Sequence, residues 1–421
     1  MRNPDVCVVG LGYVGLPLAV AFAEVGVDVV GYDVDESKVV RMQSGQSPVE
    51  DIADAQLGAA LAQHLQITAS LPEIKAASSY IICVPTPLRE SMPDLAFVES
   101  AARAVGKVLE SGDLVVLEST TYPGTTRDFL APLLEEESGL SADTDFDLAY
   151  SPERIDPGNT TWTIATTPKV VGGCTERATE RAVLLYSRVA NAVVRAAGPS
   201  EAEMAKLLEN TFRHVNIALV NELAVFCQSL GIDIWEVIRL ASTKPFGFMP
   251  FHPGPGVGGH CIPVDPSYLS WALRRHGFQF RFVELAQEIN ARMPSYVATR
   301  TGEILNGVGL AISRARILCI GAAYKPGVAD CRESPALDVM RHLAAKGADL
   351  RFHDPYVDRV EINGATLVST PLDDESVADC DLVIVLTAHP DIDWDKLASR
   401  APRVLDTRNA LPDRRDNVHG L

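Results

Sequence analysis

Residues 6–15 read Val-Cys-Val-Val-Gly-Leu-Gly-Tyr-Val-Gly, an apolar run that leads directly into a Gly-x-Gly-x-x-Gly turn. A helical pattern follows over Leu16–Val25, and a second apolar run, Val27–Tyr32, ends at Asp33. Strand, glycine turn, helix, strand and acidic residue, in this order, are typical of a dinucleotide-binding βαβ unit. The stretch therefore predicts a doubly wound α/β fold for the first part of the chain.

Each element of this fingerprint has a physical role. Gly10 makes the turn, Gly12 lets a pyrophosphate approach the backbone, and Gly15 lets the helix pack on the strand. Asp33 is expected to accept a hydrogen bond from a ribose 2′-hydroxyl and to repel a 2′-phosphate, which favours NAD over NADP. The cofactor contacts predicted in this segment are Gly10, Gly12, Tyr13, Val14, Gly15, Asp33 and Lys38.

Three further apolar runs end in polar turns. Tyr80–Val84 leads into Pro85-Thr86-Pro87, Leu114–Leu117 into Glu118-Ser119-Thr120, and Asp147–Tyr150 into Ser151-Pro152-Glu153-Arg154. Because ligands of open α/β sheets sit at the carboxyl ends of strands, the first two turns are expected to contact the nicotinamide half of the cofactor. The residues predicted for this contact are Pro85, Thr86, Ser119 and Thr120. Ordinary turn chemistry at strand ends is the alternative interpretation.

One long helix is predicted from Ser200 to about Leu230. Ser200 can serve as its N-cap, with Glu203 at the capping-box position, and a glycine follows its end. Lys206 and Asn210 are four residues apart, so they lie on the same face of the helix. Arg154, Arg213 and His214 are candidates for a local basic pocket, and a solvated face is the alternative.

The most unusual stretch is residues 254–266, Gly-Pro-Gly-Val-Gly-Gly-His-Cys-Ile-Pro-Val-Asp-Pro. Its glycines permit positive φ and close backbone approach to a ligand, while its prolines stiffen the chain. We expect a shaped loop that holds the thiol of Cys261 in a fixed place; a surface loop with an inert cysteine is the alternative. The preceding segment, Lys244–His252, is rich in aromatic residues and proline, which fits either a packing wall for a base or sugar or a dimer contact.

A second doubly wound unit is predicted from Arg316 onwards. Its first strand, Ile317–Ile320, meets Gly321-Ala322-Ala323, and a later strand, Ala348–His353, ends at Asp354. Because the fingerprint glycines are incomplete, this unit favours a nucleotide diphosphate over a second dinucleotide. The predicted fold class is α/β, with two Rossmann-like doubly wound domains joined by a long central helix. The predicted domains are an NAD-binding domain at residues 1–199, a central helical domain at 200–300 and a C-terminal Rossmann-like domain at 301–421.

Composition excludes several classes of protein. The chain has 421 residues and a formal net charge of −18, which argues against nucleic acid as a partner and requires any anionic substrate to meet a local basic pocket. Neither a membrane span nor a signal peptide is expected, because no apolar run is long enough and the N-terminus leads straight into a strand. Eight cysteines without Cys-x-x-Cys spacing fit a reducing cytoplasm and disfavour a zinc site, including one made by His252, His260 and Cys261.

The motifs, taken together, resemble those of the UDP-glucose/GDP-mannose dehydrogenase superfamily. They are the glycine turn at 10–15, Val84-Pro85-Thr86-Pro87, Glu118-Ser119-Thr120, Ser151-Pro152-Glu153, Lys206 and Asn210, Gly258-Gly259-His260-Cys261, Asp265, Tyr324-Lys325 and Asp330-Cys331-Arg332. The segments 151–159, 244–248 and 254–263 resemble the branch that oxidises UDP-N-acetylhexosamines. The UDP-glucose branch tends to have an acid where Pro157 stands and a Tyr or Phe where His260 stands.

This resemblance implies an oxidation of a sugar C6 alcohol to a carboxylate, with two NAD⁺ reduced in turn and no release of the aldehyde. Cys261 would add to the aldehyde, and the resulting thiohemiacetal would be oxidised to a thioester that water cleaves. Lys206 and Asn210 would stabilise the oxyanion, and Asp265 would activate and orient the water. Glu153, Lys206 and a water held by Thr120 remain alternatives for the first-step base.

The resemblance also implies that the C-terminal domain at 301–421 binds the UDP-sugar, and it implies further contacts. Lys325 and Arg332 match contacts from the second unit to the substrate and the cofactor respectively. The predicted substrate contacts are Glu153, Arg154, Lys206, Asn210, Arg213, Phe246, Phe248, Gly256, Gly258 and Lys325. A homodimer through the long helix is expected. Related enzymes reach into the neighbouring site with an arginine from the segment before the glycine loop, but this chain has Lys244 and His252 there, which leaves subunit sharing of the site open.

Three alternatives differ in what they would consume. UDP-glucose is the alternative substrate, and no motif distinguishes UDP-N-acetylglucosamine from UDP-N-acetylmannosamine. A non-catalytic NAD and nucleotide-sugar binding protein would reduce nothing and would have no use for Cys261, Lys206 and Asp265. A single-step NAD dehydrogenase would form one NADH for each substrate molecule and would ignore the thiol.

Overall fold

The computed structural model describes residues 4–89, 92–155, 159, 161–259, 262, 264–275, 277–411 and 415–421. The chain forms two compact units: Met1–Glu209 with Ser267–Phe278, and Asn210–Pro266 with Gln279–Leu421. His260, Cys261 and Pro157, on which part of the sequence interpretation rests, lie outside the described residues. No helix in the described ranges is long and apolar enough to cross a membrane.

An eight-stranded sheet organises the first unit. Its strands are β1 Val6–Val9, β2 Val29–Tyr32, β3 Leu65–Thr68, β4 Ser79–Ile82, β7 Leu114–Leu117, β8 Asp147–Tyr150, β9 Lys169–Gly173 and β10 Val193–Arg195, with β5 Leu88–Arg89 and β6 Met92–Pro93 forming a separate hairpin. The order is β10-β9-β8-β7-β4-β1-β2-β3, and every neighbouring pair is parallel except β8 and β9. The predicted strands that lead into the glycine turn and the polar turns are therefore confirmed.

Helices cover this sheet. They are α1 Gly15–Glu24, α2 Glu36–Gln43, α3 Asp54–Leu61, α4 Leu71–Ile74, α5 Ala96–Gly106, α6 Ala131–Ser138, preceded by a π-helical turn at Thr125–Leu130, and α7 Glu176–Tyr186. Every residue of the central strands β1, β4, β7 and β8 is buried. Burial on both faces explains why these strands are nearly continuous apolar runs in the sequence.

A five-stranded parallel sheet organises the second unit, in the order β12-β11-β15-β16-β17. Its strands are β11 Arg316–Ile320, β12 Asp349–His353, β15 Leu382–Val385, β16 Val404–Asp406 and β17 Val418–Gly420, with a hairpin of β13 Arg359–Ile362 and β14 Ala365–Val368. The remaining helices of the chain are α8 Pro199–Ser229, α9 Ile234–Ala241, α10 Asp265–Arg275, α11 Arg281–Asn306, α12 Pro335–Ala345, α13 Asp374–Ala378 and α14 Trp394–Arg400. The predicted fold class, two doubly wound units joined by a long central helix, is confirmed.

The glycine turn occurs twice. Gly10 has φ +90° and its amide donates to the Tyr32 carbonyl at 2.8 Å, while Gly321 has φ +88° and its amide donates to the His353 carbonyl at 2.8 Å. In both units the strand pairs, β1 with β2 and β11 with β12, therefore end in the same left-handed turn, which glycine adopts at little cost. The second unit repeats the frame of the first one without its second and third fingerprint glycines.

The predicted capping box of the long helix is wrong. Helix α8 begins at Pro199, so Ser200 lies inside its first turn, and the Gly198 carbonyl accepts from the Ala202 amide. The carboxylate of Glu203 instead accepts from the Gly124 amide at 2.6 Å, and from the Thr126 amide and hydroxyl at 2.8 and 2.6 Å. Glu203 thus caps the π-helical turn after β7 rather than its own helix.

Replacement of Glu203 tests this assignment. Glu203→Ala leaves two buried donors of Thr126 and the half-buried Gly124 amide without their acceptor, and we expect the free energy of unfolding to fall by about 2–4 kcal/mol. Glu222→Ala, which removes an exposed carboxylate from the same helix, should change stability by less than about 0.5 kcal/mol. Urea denaturation of both variants measures the difference; equal effects would contradict the capping role.

Candidate active site

The glycine turn of the first unit has little room for other side chains. A Cβ on Gly15 would stand 1.8 Å from the Gly10 carbonyl oxygen, and a Cβ on Gly10 would stand 3.0 Å from the Cys83 carbonyl oxygen. A Cβ on Gly12 would meet no atom within 4 Å, so this residue borders open space. Gly15 thus permits the close packing that the sequence predicts, and Gly10 has the positive φ that the turn requires, while the approach of a pyrophosphate to Gly12 stays a prediction.

Asp33 stands beside this turn, at the end of β2. One carboxylate oxygen accepts from the Leu11 amide at 3.0 Å and from the Lys38 ammonium at 2.6 Å, and the other accepts from the Asp35 amide at 3.1 Å. The carboxylate is thus fixed next to the backbone of the turn. Its lone pairs can still accept from ribose hydroxyls, so Asp33 and the glycine cradle fit the adenosine half of a dinucleotide.

The turns after β4 and β7 are tied together. The Ser119 hydroxyl donates to the Val84 carbonyl at 2.7 Å, and the Tyr268 hydroxyl donates to the carbonyls of Thr86 and Pro87 at 3.0 and 3.2 Å. Ser119, predicted as a cofactor contact, therefore uses its hydroxyl to link the two turns. The sequence interpretation missed Tyr268, because a single tyrosine on helix α10 shows no relation to a turn about 180 residues earlier.

A buried cluster of ionisable side chains lies at the same edge of the sheet. The Lys169 ammonium donates to Glu118 Oε2 at 2.9 Å and to Glu153 Oε2 at 3.0 Å. The Tyr186 hydroxyl donates to the other oxygen of Glu118, and the Lys169 nitrogen lies 5.1 Å from the centre of the Tyr186 ring. Of these four residues, sequence reasoning assigned a role only to Glu153.

The reversed direction of β9 explains this cluster. Strand β9 runs antiparallel to β8, with Ala149 opposite Gly173 and Tyr150 opposite Gly172. Continuing this register past the end of β8 places Lys169, the first residue of β9, opposite Glu153. The strand that breaks the parallel pattern thus delivers a cation to the edge where the parallel strands end in polar turns.

The pKa values of Glu118, Glu153 and Lys169 depend on one another. Burial raises the pKa of Glu118 to about 7, although Lys169 acts to lower it. Burial also acts to raise the pKa of Glu153, but the charge and hydrogen bond of Lys169, the Ile155 amide and the charge of Lys206 together lower it. The pKa of Lys169 is raised, because its two carboxylate partners outweigh the effect of burial. Glu153 is therefore a carboxylate at neutral pH and can accept a proton.

Lys206 reaches the same residue from helix α8. Its ammonium, on a side chain that is mostly buried, donates to the main-chain oxygen of Glu153 at 2.6 Å. The structure thus brings together two of the predicted catalytic residues in the first unit. Thr120, a third one, is half-buried in the turn after β7 that also carries Glu118.

Arg154 and His214 do not supply a free positive charge. The Arg154 guanidinium is paired with Glu209, with the nearest N–O distance 2.7 Å, and also donates to the Pro168 carbonyl. His214 is buried, which lowers its pKa to about 4, so it is neutral at physiological pH. Arg213 is exposed. The suggestion of a basic pocket is therefore wrong for Arg154 and His214.

The second unit contains the Asn210–Asp265 pair. The Asn210 side-chain amide donates to the Asp265 carboxylate, and both side chains are buried. Asn210 belongs to helix α8 and Asp265 begins helix α10. The structure thus joins two further residues that the sequence singles out.

The glycine loop is fixed by polar contacts and by lack of space. The Gly254 amide donates to the Asn221 side chain at 2.9 Å, and Asn221 in turn donates to Asn290 at 2.9 Å. A Cβ on Gly258 would stand 2.6 Å from the Glu333 carbonyl oxygen, and one on Gly259 would stand 2.8 Å from the Tyr324 ring. The loop therefore packs against helix α11 and the connection between β11 and α12.

Arg408 is a cation beside this loop that sequence reasoning did not single out. A Cβ on Gly254 would stand 2.5 Å from its guanidinium, which donates through Nε to the Leu386 carbonyl at 2.8 Å. Burial lowers its pKa to about 10 in spite of the nearby Asp406 charge, so it stays protonated at neutral pH. Within the described ranges no carboxylate forms an ion pair with it. It is suited to an anionic ligand.

Other predicted site residues have partners or are exposed. Arg332 pairs with Asp330, and the Lys325 ammonium lies 5.8 Å from the centre of the Tyr324 ring. Phe246 and Phe248 are 71% and 40% exposed. Among the described residues no group of three or more His, Cys, Asp or Glu side chains could hold a metal ion.

Comparison with known proteins decides the family. The family models of UDP-glucose/GDP-mannose dehydrogenases match in three parts: the NAD binding domain at residues 4–190, the central domain at 200–292 and the UDP binding domain at 318–413. The chain belongs to the UDP-glucose/GDP-mannose dehydrogenase family. The predicted family, the NAD cofactor and the class of activity, an NAD-dependent nucleotide-sugar dehydrogenase, are thereby confirmed.

Individual relatives extend over nearly the whole chain. A UDP-N-acetyl-D-mannosamine dehydrogenase of Pyrococcus horikoshii is 36% identical over 97% of this chain and 96% of its own, and a UDP-D-ManNAc dehydrogenase structure from that organism has a TM-score of 0.90, covering 99% and 98%. A UDP-N-acetyl-D-glucosamine 6-dehydrogenase of Pseudomonas aeruginosa is 37% identical, over 92% and 91%. The structure of a UDP-glucose dehydrogenase from Pyrobaculum islandicum has a TM-score of 0.88 at 29% identity, covering 100% and 98%.

The packing of the glycine loop predicts the effect of one added methyl group. Gly258→Ala sets a Cβ against the Glu333 carbonyl and Pro335, so the loop must move, and we expect at least a tenfold loss of kcat/KM with nucleotide sugar. Gly58→Ala in helix α3, where a Cβ meets nothing within 4 Å, should leave kcat/KM unchanged. Steady-state NADH formation measures both, and wild-type activity of Gly258→Ala would contradict the tight packing.

Proposed function

We propose that this enzyme oxidises the C6 hydroxyl of a UDP-N-acetylhexosamine to a carboxylate. In balance, one alcohol, one water and two NAD⁺ give one carboxylate, two NADH and three protons. The proposal depends on one contact, between the buried Lys206 ammonium and the Glu153 backbone oxygen. This contact lies at the carboxyl ends of the strands, where the dinucleotide turn also lies. Bound NAD supplies the hydride acceptor for both oxidation steps.

Glu153 is proposed as the first-step base. Its lowered pKa keeps it ionised, so it can take the C6 hydroxyl proton directly or through a water held by Thr120. The ammonium of Lys206 stabilises the negative charge that develops on the oxygen. Holding the aldehyde is assigned to Cys261, whose thiolate forms a C–S bond at C6; loss of the second hydride then leaves a thioester. Asp265, oriented by Asn210, activates the water that cleaves this thioester.

The nucleotide part is assigned to the second unit. Its UDP binding domain carries the Arg408 guanidinium and the Lys325 ammonium, which provide positive charge in a chain of net charge −18. The diphosphate is proposed to pair with Arg408. The remaining predicted contacts, including Phe246, Phe248 and Gly256, are proposed to enclose the sugar. Arg332 is kept as a proposed cofactor contact.

The sugar is proposed from the named relatives. Two of them, from Pyrococcus horikoshii and Pseudomonas aeruginosa, carry the names of N-acetylhexosamine enzymes. UDP-glucose is the second candidate, because a UDP-glucose dehydrogenase from Pyrobaculum islandicum matches the whole chain with a TM-score of 0.88. The cytoplasm is proposed as the compartment, and the free state of every cysteine in the described ranges fits a reducing environment.

A homodimer through helix α8 is also proposed. Phe212, Leu219, Leu223 and Phe226 are each at least 40% exposed, and Leu230, just beyond the helix, is 57% exposed. Phe212 and Leu219 are one heptad apart, and the later residues follow at spacings of four, three and four. This spacing places all five on one stripe of the helix. Such a stripe on an otherwise acidic chain is typical of a helix that pairs with a second copy.

The stoichiometry of NADH tests the chemistry. We expect two NADH for each UDP-N-acetylhexosamine consumed, measured with a panel of UDP-, GDP- and TDP-sugars including UDP-glucose. Cys261→Ala should lose at least a thousandfold in kcat, because the tethered intermediate cannot form. The control Cys174→Ala removes a half-buried thiol of the first unit and should keep full activity. One NADH per sugar, or full activity of Cys261→Ala, would reject the mechanism, and turnover of UDP-glucose alone would reject the proposed sugar.

Solution mass tests the dimer. The wild-type protein should elute with twice the 45.4 kDa of one chain in light scattering. Phe226→Glu places a charge in the apolar stripe and should shift the mass towards one chain. Leu184→Glu, at a 71% exposed residue of helix α7, should leave the mass unchanged. A monomeric wild-type protein at micromolar concentration would contradict the proposed helix pairing.

A further inference from the structure

The Lys169 cluster has a feature that the proposed reaction does not yet use. One ammonium serves two carboxylates, Glu118 at 2.9 Å and Glu153 at 3.0 Å. Glu118 and Lys169 are 1% and 6% exposed, and the Glu153 side chain is 13% exposed. Burying a carboxylate without a cation is costly. The ionised form of Glu153 therefore depends on the first residue of the next strand, 16 residues further along the chain.

The direction of the Glu153 carboxylate is fixed as well. Its Oε2 accepts from Lys169, while its Oε1 accepts from the amides of Arg154 and Ile155, each at 2.6 Å. The amides belong to the same turn and move with it. Lys169 is the contact that ties the carboxylate to a different strand, and so to the sheet itself.

We propose that Lys169 is a positioning residue for the proton acceptor: it holds the Glu153 carboxylate ionised and aligned, and so sets the lowest pH at which the first oxidation proceeds. The inference rests on the proposed role of Glu153 as the base. Lys169 does not contact the reacting atoms in this account. It acts through Glu153 alone.

The other ionisable groups that face Glu153 do not replace Lys169 as the partner of its carboxylate. Cys83, after β4, and Tyr186, on α7, face the cluster but stay neutral, because burial raises the pKa of both groups. Glu118 competes for the same ammonium, and burial raises its pKa to about 7, so Glu118 and Glu153 titrate as a coupled pair. Lys206 contacts the Glu153 backbone oxygen rather than its carboxylate. Within the described ranges, Lys169 is the cation that meets this carboxylate directly.

The pH dependence of kcat/KM provides the test. In the wild-type enzyme we expect kcat/KM to fall at low pH, because the base becomes protonated. Lys169→Met removes the opposite charge from a buried carboxylate, so the acid limb should move up by about 1–3 pH units. Lys169→Arg keeps the charge and can bind two carboxylates, so its acid limb should stay at the wild-type value. A lower rate with an unmoved acid limb in Lys169→Met would overturn the proposal, as would an equal shift in Lys169→Arg.

Glu118→Gln provides a control of opposite sign. This variant removes the competing carboxylate, so Lys169 interacts with Glu153 alone and the acid limb should move down or stay in place. An upward shift would contradict the proposal, because it would show that any disturbance of the cluster has the same effect. If Lys169→Met does not fold, the double variant Lys169→Met with Glu118→Gln removes one charge of each sign and should still show the upward shift.

Two further measurements separate this inference from the proposed function. Glu153→Gln with a wild-type rate would reject Glu153 as the base, and with it the foundation of the inference. A strong loss in Glu153→Gln together with an unmoved acid limb in Lys169→Met would reject only the role of Lys169. Infrared difference spectra of the substrate-free protein, with Glu153→Gln to assign the carboxyl band, should show the Glu153 titration at higher pH in Lys169→Met; an unchanged titration would overturn the proposal.

Discussion

A parallel sheet that is buried on both faces accepts charge along its strands only where that charge is paired, as Asp147 of β8 is with Arg177 and Arg181. The central strands β1, β4, β7 and β8 are buried at every residue, and polar chemistry is therefore pushed to their carboxyl ends. The acidic, hydroxylic and proline-rich turns that follow these strands are where the fold can place a cofactor or a base. Because β9 runs antiparallel to β8, its first residue, Lys169, lies at the edge where the parallel strands end. A parallel strand would place its first residue at the opposite edge.

Helix α8 shows how the same constraint acts on a helix. Its buried side carries Glu203, Lys206, Asn210 and Asn221, and each of these side chains has a partner in a loop or on another helix. Two of the partners are backbone groups: the Gly124 amide for Glu203 and the Glu153 carbonyl for Lys206. Side chains of the helix therefore fix two loops by hydrogen bonds to the loop backbone. Its opposite side is free to be apolar, as the exposed stripe shows.

The features that the sequence predicts correctly are those that depend on residues close together in the chain. The glycine turn, the strands on either side and Asp33 follow from periodicity and spacing over fewer than thirty residues, and the structure has them where they are expected. Lys206 and Glu153 were singled out through resemblance rather than geometry, and the structure brings them together. The capping box failed because Pro199 starts the helix one residue early and because a turn far along the chain competes for Glu203.

Long-range pairing was out of reach for a different reason. Lys169 looks like the first residue of an ordinary strand, and only the antiparallel register with β8 shows that it faces Glu153. Arg154 looks like a substrate contact until Glu209 on α8 is seen to neutralise it. Arg408 lies near the end of the chain, and its place beside Gly254 depends on the packing of the whole second unit. Such contacts depend on tertiary structure, which no local pattern encodes.

The glycine turn that occurs in both units shows how the same backbone geometry can be combined with a differently used carboxylate. Asp354 holds the position in the second unit that Asp33 holds in the first, but its two oxygens accept from four amides, those of Ala322, Ala323, Tyr356 and Val357, and from His389. Because the Gly327 amide donates to His389 Nδ1, Nε2 is the ring nitrogen that donates to Asp354. A carboxylate so saturated has nothing left for a sugar diol. Donors of the protein itself occupy the lone pairs that ribose hydroxyls could use at Asp33. The second unit must therefore recognise its ligand through other groups.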